Sequence, residues 1–226
     1  MTFEGIEGSG KTTQCQRLAH LLRDEGYQVI VTREPGGTSF GEKIRTLLLR
    51  NISQNLPHDQ LTPACEAALV FASRAHHVTH KMVPALSQGL IVLCDRFSDS
   101  TLAYQGYGRG LDLKKLRIFN DLVTDRLTPD HTYLLDIPVK QGLARRRKTR
   151  SQNRLDQESH SFHGRVRRGF LALAKLNSQR ITVLDGRKSP EAIAAEVAAT
   201  AHSIIRLKRR SRPGSLLHRH RTPVTA

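Results

Sequence analysis

The sequence predicts an α/β fold, a three-layer α/β/α sandwich built on a five-stranded parallel sheet. Three observations carry this. Short apolar runs alternate with helix-like patterns, each run ends in a polar loop, and the first loop, GIEGSGKT (Gly5 to Thr12), has glycines where a strand would turn into a helix.

The elements follow in chain order. MTFE (1–4) reads as the first strand, and Lys11 to Glu25 as a helix stopped by Gly26. Only four residues precede Gly5, so either the first strand is short or the natural start lies upstream of Met1. QVIVT (28–32) is the second strand and 39–49 the next helix. A long helix begins at LTPACE, where Thr62 can cap and Pro63 suits the first turn. LIVLC (90–94), HTYLLD (131–136) and ITVLD (181–185) supply the remaining strands. Helical patterns over 112–127, 138–149, 158–177 and 189–208 complete the layers. One domain is therefore expected over 1–208, followed by a basic, flexible tail over 209–226 that is rich in Pro, Gly and Ser and has no apolar periodicity.

A chain of 226 residues can bury a core without staples. Cys15, Cys65 and Cys94 lack metal-ligand spacing and read as small core hydrophobes. No leader-like or membrane-length apolar run is present, so a cytoplasmic protein with no membrane partner is expected. The net charge of +16 is uneven: seven basic residues lie from Arg206 onward and six within Arg145 to Arg154. Neither segment interleaves its charge with aromatics, which argues against a nucleic-acid-stimulated ATPase.

GIEGSGKT fits the phosphate-cradling pattern G-x-x-x-x-G-K-[ST] in full. Gly5, Gly8 and Gly10 let the backbone wrap with its amides inward, Ile6, Glu7 and Ser9 complete the loop, and the following helix adds its positive end. Lys11 can reach the β- and γ-phosphates of a nucleoside triphosphate, and Thr12 can ligate Mg²⁺. The apolar run LIVLC delivers Asp95 to the same sheet edge as a second magnesium ligand. Arg33 in TREPGGT emerges there too. In VFASRAHH, Phe71 and Arg74 fall three residues apart on a helix, and DRFSDSTLAYQGYGRG follows the third strand with charge, hydroxyls, an amide and an aromatic. The histidines at 76, 77 and 80 lack the companion residues of a zinc site and read as structural.

Together the phosphate loop, TREPGGT, F-x-x-R-x-x-H, DRFSDSTLAYQG and NRLDQES make the chain, from its first strand to about residue 205, resemble the thymidylate kinases. The resemblance implies phosphoryl transfer from ATP to dTMP with Mg²⁺, and a homodimer packed through helices. The alternative is a kinase of another nucleoside or nucleotide. It further implies that Arg33 and Arg96 clamp the dTMP phosphate, Phe71 stacks on thymine and Arg74 donates to its O4. Ser100, Thr101 and Gln105 would complete the base edge, Tyr104 would crowd a ribose 2′-hydroxyl, and Glu7 would face the acceptor sugar or the metal.

Some relatives carry an arginine inside the phosphate loop. Here Ile6, Glu7, Gly8 and Ser9 hold no basic residue, so the charge must come from RRRKTRSQNRLDQES, expected to form a mobile lid over about 145–157. Arg154 matches the family's main lid arginine and is expected to act at the transition state, supported by Arg145 and Arg147. Relatives commonly place an acid before that arginine, where this chain has Asn153.

Overall fold

The structure, a computed structural model, describes residues 1–49, 61–148 and 153–210. Five parallel strands, β1 Thr2–Glu4, β2 Val29–Arg33, β3 Ile91–Asp95, β4 Thr132–Asp136 and β5 Ile181–Asp185, stand in the order β2-β3-β1-β4-β5. All five expected strands are present, each within about a residue of its expected range. The short β1 occupies the centre, with Thr2 opposite Cys94 on one side and Thr132 on the other.

Side chains alternate across the sheet and build cores on both of its faces. Phe3, Tyr133, Leu135 and Leu184 meet α1 (Lys11–Asp24) and α9 (Pro190–Arg210) on one face. Leu134 and Ile181 face α3 (Pro63–His77), α6 (Leu113–Thr124) and α8 (His160–Leu176) on the other. Because every strand runs the same way, Glu4, Arg33, Asp95, Asp136 and Asp185 all end at one edge, where the connecting loops build a site.

Helices α2 (Ser39–Leu49) and α7 (Val139–Arg147) lie where the sequence expects them. Thr62 caps α3 through Cys65 N at 3.2 Å. That turn leaves Cys65 exposed, unlike the buried Cys15 and Cys94, so the expectation of three core cysteines fails at this position.

Two stretches depart from the expected pattern. After α3 the helix widens into a π turn, Val78–Met82, before α4 (Val83–Ser87), where Pro84 cannot donate to a regular ladder. Residues 98–108 are also helical: α5 (Ser98–Thr101) runs into a π segment, Leu102–Gly108. The glycines of this segment serve packing. A Cβ on Gly106 would lie 2.3 Å from Leu113 Cδ2, and one on Gly108 2.8 Å from Phe162 Cε2.

Helix α9 is described to Arg210, two residues past the expected boundary, and the remainder of the tail lies outside the described residues. Among the described residues no helix is long and apolar enough to cross a membrane.

Candidate active site

A cleft of about 320 Å³ opens over the C-terminal edge of the sheet. Its floor is the phosphate loop between β1 and α1. Gly5, Gly8 and Gly10 have φ of 137°, 71° and 98°, a backbone that an L side chain resists. Gly8 also has no room for one: a Cβ there would sit 2.0 Å from the Gly142 carbonyl of α7. Ile6 anchors the loop in the core, and Ser9 is buried beneath it. The Lys11 ammonium turns back into the loop and donates to the Ile6 carbonyl at 2.7 Å and Ser9 Oγ at 3.3 Å. Thr12 Oγ1 donates to Asp95 Oδ2 across the sheet edge. Both side chains offer oxygen ligands, and a hard cation that keeps most of its waters suits such a pair.

Arg96 follows Asp95 in a left-handed conformation, φ 72°, which costs about 1–3 kcal/mol in a non-glycine residue. The turn aims its guanidinium back at the loop. It donates to the Gly5 carbonyl at 2.9 Å, Ser100 Oγ at 3.2 Å and Glu7 Oε1 at 3.2 Å. Tyr104 donates to the same Glu7 oxygen at 2.6 Å, its ring 5.0 Å from the Arg96 guanidinium. Thr101 Oγ1 is buried without a partner among the described residues, and Gln105 donates to Glu66 at 2.8 Å. Ser100, Thr101, Tyr104 and Gln105 line the cleft with Arg96 and Glu7, as does Arg33, which pairs with Glu42 at 2.8 Å.

Arg74 lines the cleft although it is 1% exposed. Its Nε donates to Glu34 at 2.7 Å, Nη1 to Asn120 at 3.0 Å and Nη2 to the Phe97 carbonyl at 3.1 Å. Glu34 is shared with buried His77, whose Nδ1 is 3.0 Å away, while Nε2 meets Thr32 Oγ1 at 2.6 Å.

Phe71 does not join Arg74 in the cleft. It is buried against Phe119, ring centroids 4.8 Å apart, and the α3 residues that line the cleft with Arg74 are Glu66 and Val70. Three residues along a helix turn the side chain 60° short of a full circle, whereas four overshoot it by 40°; here that difference separates core from cleft.

Of the arginines expected to serve the lid, Arg154 lines the cleft but Arg145 and Arg147 do not. Arg145 donates to the Gly186 carbonyl at 2.8 Å, and Arg147 is exposed. Arg146 lines the cleft instead, held by Asp156 at 2.9 Å. Residues 149–152 of the expected lid lie outside the described residues. Asn153 starts the 3₁₀ turn Arg154–Gln157 with a reciprocal cap, in which its side chain accepts from Leu155 N and Asp156 N while Asp156 accepts from Asn153 N.

The thymidylate kinase family model matches residues 3–197. The chain belongs to the thymidylate kinase family. It is 51% identical over 212 residues to a thymidylate kinase of Thermomicrobium roseum, covering 93% of this chain and 98% of that one. It is 49% identical to one from Carboxydothermus hydrogenoformans, covering 87% and 93%. A crystal structure of thymidylate kinase from Ehrlichia chaffeensis superposes with a TM-score of 0.71 at 37% identity, covering 89% of this chain and 96% of that one.

In this member of the thymidylate kinase family, burial and charge tune the floor of the cleft. Burial pushes the Glu7 carboxyl up, but His163, Arg96, Lys11 and Tyr104 outweigh it and bring it down to about 2. Burial, then the neighbouring Arg96 cation, lowers Lys11 to about 8 against the pull of Asp95, Glu7 and Glu4. Burial and the Asp99 carboxylate raise Glu4 to about 7, although Arg96, Ser100 and the Phe97 amide favour its charged form.

The sequence alone does not single out Glu34, Glu66, Val70, Arg146 or His163. His163 Nδ1 lies 3.3 Å from Glu7 Oε2, across 156 positions of chain. Nothing local marks such partners. Only the 3.6-residue period could have pointed to Val70, at i−4 from Arg74.

Proposed function

We propose that this chain transfers the γ-phosphoryl group of ATP to dTMP, giving ADP and dTDP on the way to dTTP. Family membership across nearly the whole chain supports the reaction. The assignment of roles rests on one observation: Lys11 of the phosphate loop and Arg96 of the opposite wall line one cleft, with Arg96 held by Glu7 of the same loop.

The attacking phosphate oxygen of dTMP is anionic at neutral pH, so no general base is required. Catalysis consists of holding two mutually repelling anions in line and neutralising charge as it develops. Lys11 exchanges the Ile6 carbonyl and Ser9 for phosphate oxygens of ATP. Arg96 and Arg33 hold the acceptor phosphate, with Arg33 leaving Glu42. Glu7 keeps Arg96 and Tyr104 in place beneath the sugar. Thr101, the amide of Gln105 and Arg74 read the base edge, and Val70 packs against its face. Thr12 and Asp95 would hold Mg²⁺, which would neutralise charge on the triphosphate. Arg154 and Arg146, from the segment 145–157, supply the cations that the phosphate loop lacks.

The same reading makes 1–208 the working domain and 209–226 a dispensable tail, and it places the protein in the cytoplasm as a homodimer. The exposed Ile118, Phe119 and Leu122 of α6, beside α3, support pairing of two copies.

ADP release measured with dTMP, dUMP, UMP, dCMP and thymidine tests the assignment. The expected result is a clear preference for dTMP; a preference for any other acceptor overturns it.

A further inference from the structure

Glu66 sits in the first turn of α3, 2% exposed, and gathers four donors on two oxygens. Its Oε1 accepts from Gln105 Nε2 at 2.8 Å and Arg109 Nε at 3.2 Å. Its Oε2 accepts from Arg109 Nη2 at 3.0 Å and Arg154 Nη2 at 2.6 Å. Arg109 is tied in turn to Glu158, and Arg154 Nε donates to the Leu48 carbonyl at 3.0 Å. Two guanidinium groups keep the Glu66 carboxylate ionised in a site where a lone charge would be costly.

An ionised carboxylate can only accept, so Gln105 must present its NH₂ to Glu66 and turn its carbonyl away. A Gln105 held this way meets a base edge as an acceptor. It suits the N3–H of thymine, whereas the unprotonated N3 of cytosine would set one acceptor against another. The other carboxylate oxygen, Oε2, fixes the guanidinium of Arg154.

We propose that Glu66 is a positioning residue that serves both ends of the reaction: it sets the amide orientation with which Gln105 reads the base, and it places Arg154. This rests on the dTMP kinase reading above.

Glu66→Gln tests it, because a neutral amide of the same shape can donate as well as accept and no longer dictates which end of Gln105 it faces. Turnover is measured with dTMP and dCMP, the latter as a competitive inhibitor of dTMP where its turnover falls below detection. The expected result is a lower kcat with dTMP together with a fall of about tenfold or more in the preference for dTMP over dCMP. Arg154→Ala should lower kcat while leaving that preference unchanged. Glu66→Asp, which keeps the charge on a shorter arm, should retain the preference and lose kcat.

A Glu66→Gln chain that loses kcat for both acceptors in proportion, with the preference intact, would show a merely structural role and overturn the proposal. So would a variant with unchanged kcat and preference. Should Glu66→Gln not fold, Glu66→Asp decides by the same ratio, and a lost preference with the charge retained would overturn it. Absence of dTMP-dependent ADP release by the unmodified chain would instead overturn the functional reading itself, and this inference with it.

Discussion

Val70 and Arg74, one helical turn apart on α3, line the same wall of the cleft, while Phe71 between them is 3% exposed and packs into the core. The two neighbours should therefore fail in different ways when truncated. Phe71→Ala removes a core aromatic and should cost about 3–5 kcal/mol of stability, read by chemical denaturation. Val70→Ala should leave stability nearly intact and raise the KM for dTMP on the order of tenfold, the scale of lost apolar contact in a binding pocket. A Phe71 variant that stays stable and loses dTMP affinity would return the thymine contact to Phe71.

Arg74 and Glu34 form a buried ion pair, side chains 1% and 2% exposed. Arg74→Met would leave the Glu34 carboxylate with His77 as its remaining side-chain partner among the described residues. Breaking one side of a buried pair costs about 3–5 kcal/mol, so the variant should unfold at markedly lower denaturant as well as lose dTMP turnover. Arg74→Met with unchanged stability would mean that Glu34 finds compensation elsewhere.

The strands, the phosphate loop and Asp95 are legible in the sequence because each is a local pattern: a short apolar run, glycines at fixed offsets, an acid at the end of a strand. The groups that tune the site are not local. Glu34 meets Arg74 across 40 positions and Glu66 meets Arg154 across 88, and a lone glutamate carries no mark of its partner. Residues 98–108 do not read as helix because the π turn breaks the 3.6-residue period and Gly106 and Gly108 mimic a loop. The difference between Phe71 and Val70 lies within one turn of α3, which spacing alone resolves only once the axis of the helix is known.

Glu4 gives stability an unusual dependence on pH. Its carboxyl is raised from 4.5 to about 7 in the folded protein, so the folded form holds this proton more tightly than the unfolded one. Its contribution is complete below about pH 4.5 and is lost as pH rises through about 7, worth up to roughly 3 kcal/mol. Glu4→Gln should remove this slope: between pH 5 and pH 7 the unmodified chain should lose stability relative to the variant. Parallel curves for the two would place the Glu4 titration near its ordinary value.

Lys11 is lowered from 10.5 to about 8, and only its protonated form attracts phosphate. The kcat/KM for ATP reports the free protein, and it should therefore fall as pH rises through about 8 instead of remaining flat toward 10. Glu7→Gln removes an anion that favours the Lys11 cation and should move this limb to lower pH. An unmoved limb would assign the ionisation to another group.

Arg146 and Arg145 are adjacent in sequence but face different surroundings: Arg146 lines the cleft beside Asp156, whereas Arg145 bonds the Gly186 carbonyl after β5. A cation that neutralises charge during phosphoryl transfer must reach the cleft, and removing such a group costs on the order of 10³-fold in kcat. Arg146→Ala should therefore lower kcat strongly with little change in the KM for dTMP, and Arg145→Ala should cost only a few-fold. The comparison also separates the two cleft arginines of this segment. Arg154 is anchored on Glu66 and the Leu48 carbonyl at the α2 and α3 side, so Arg154→Lys should keep the charge yet lose the forked contact, and turnover should stay well below the unmodified level. Full activity in Arg154→Lys would mean that charge alone matters at this position, and full activity in Arg146→Ala would leave Arg154 to neutralise the transferring phosphoryl group by itself.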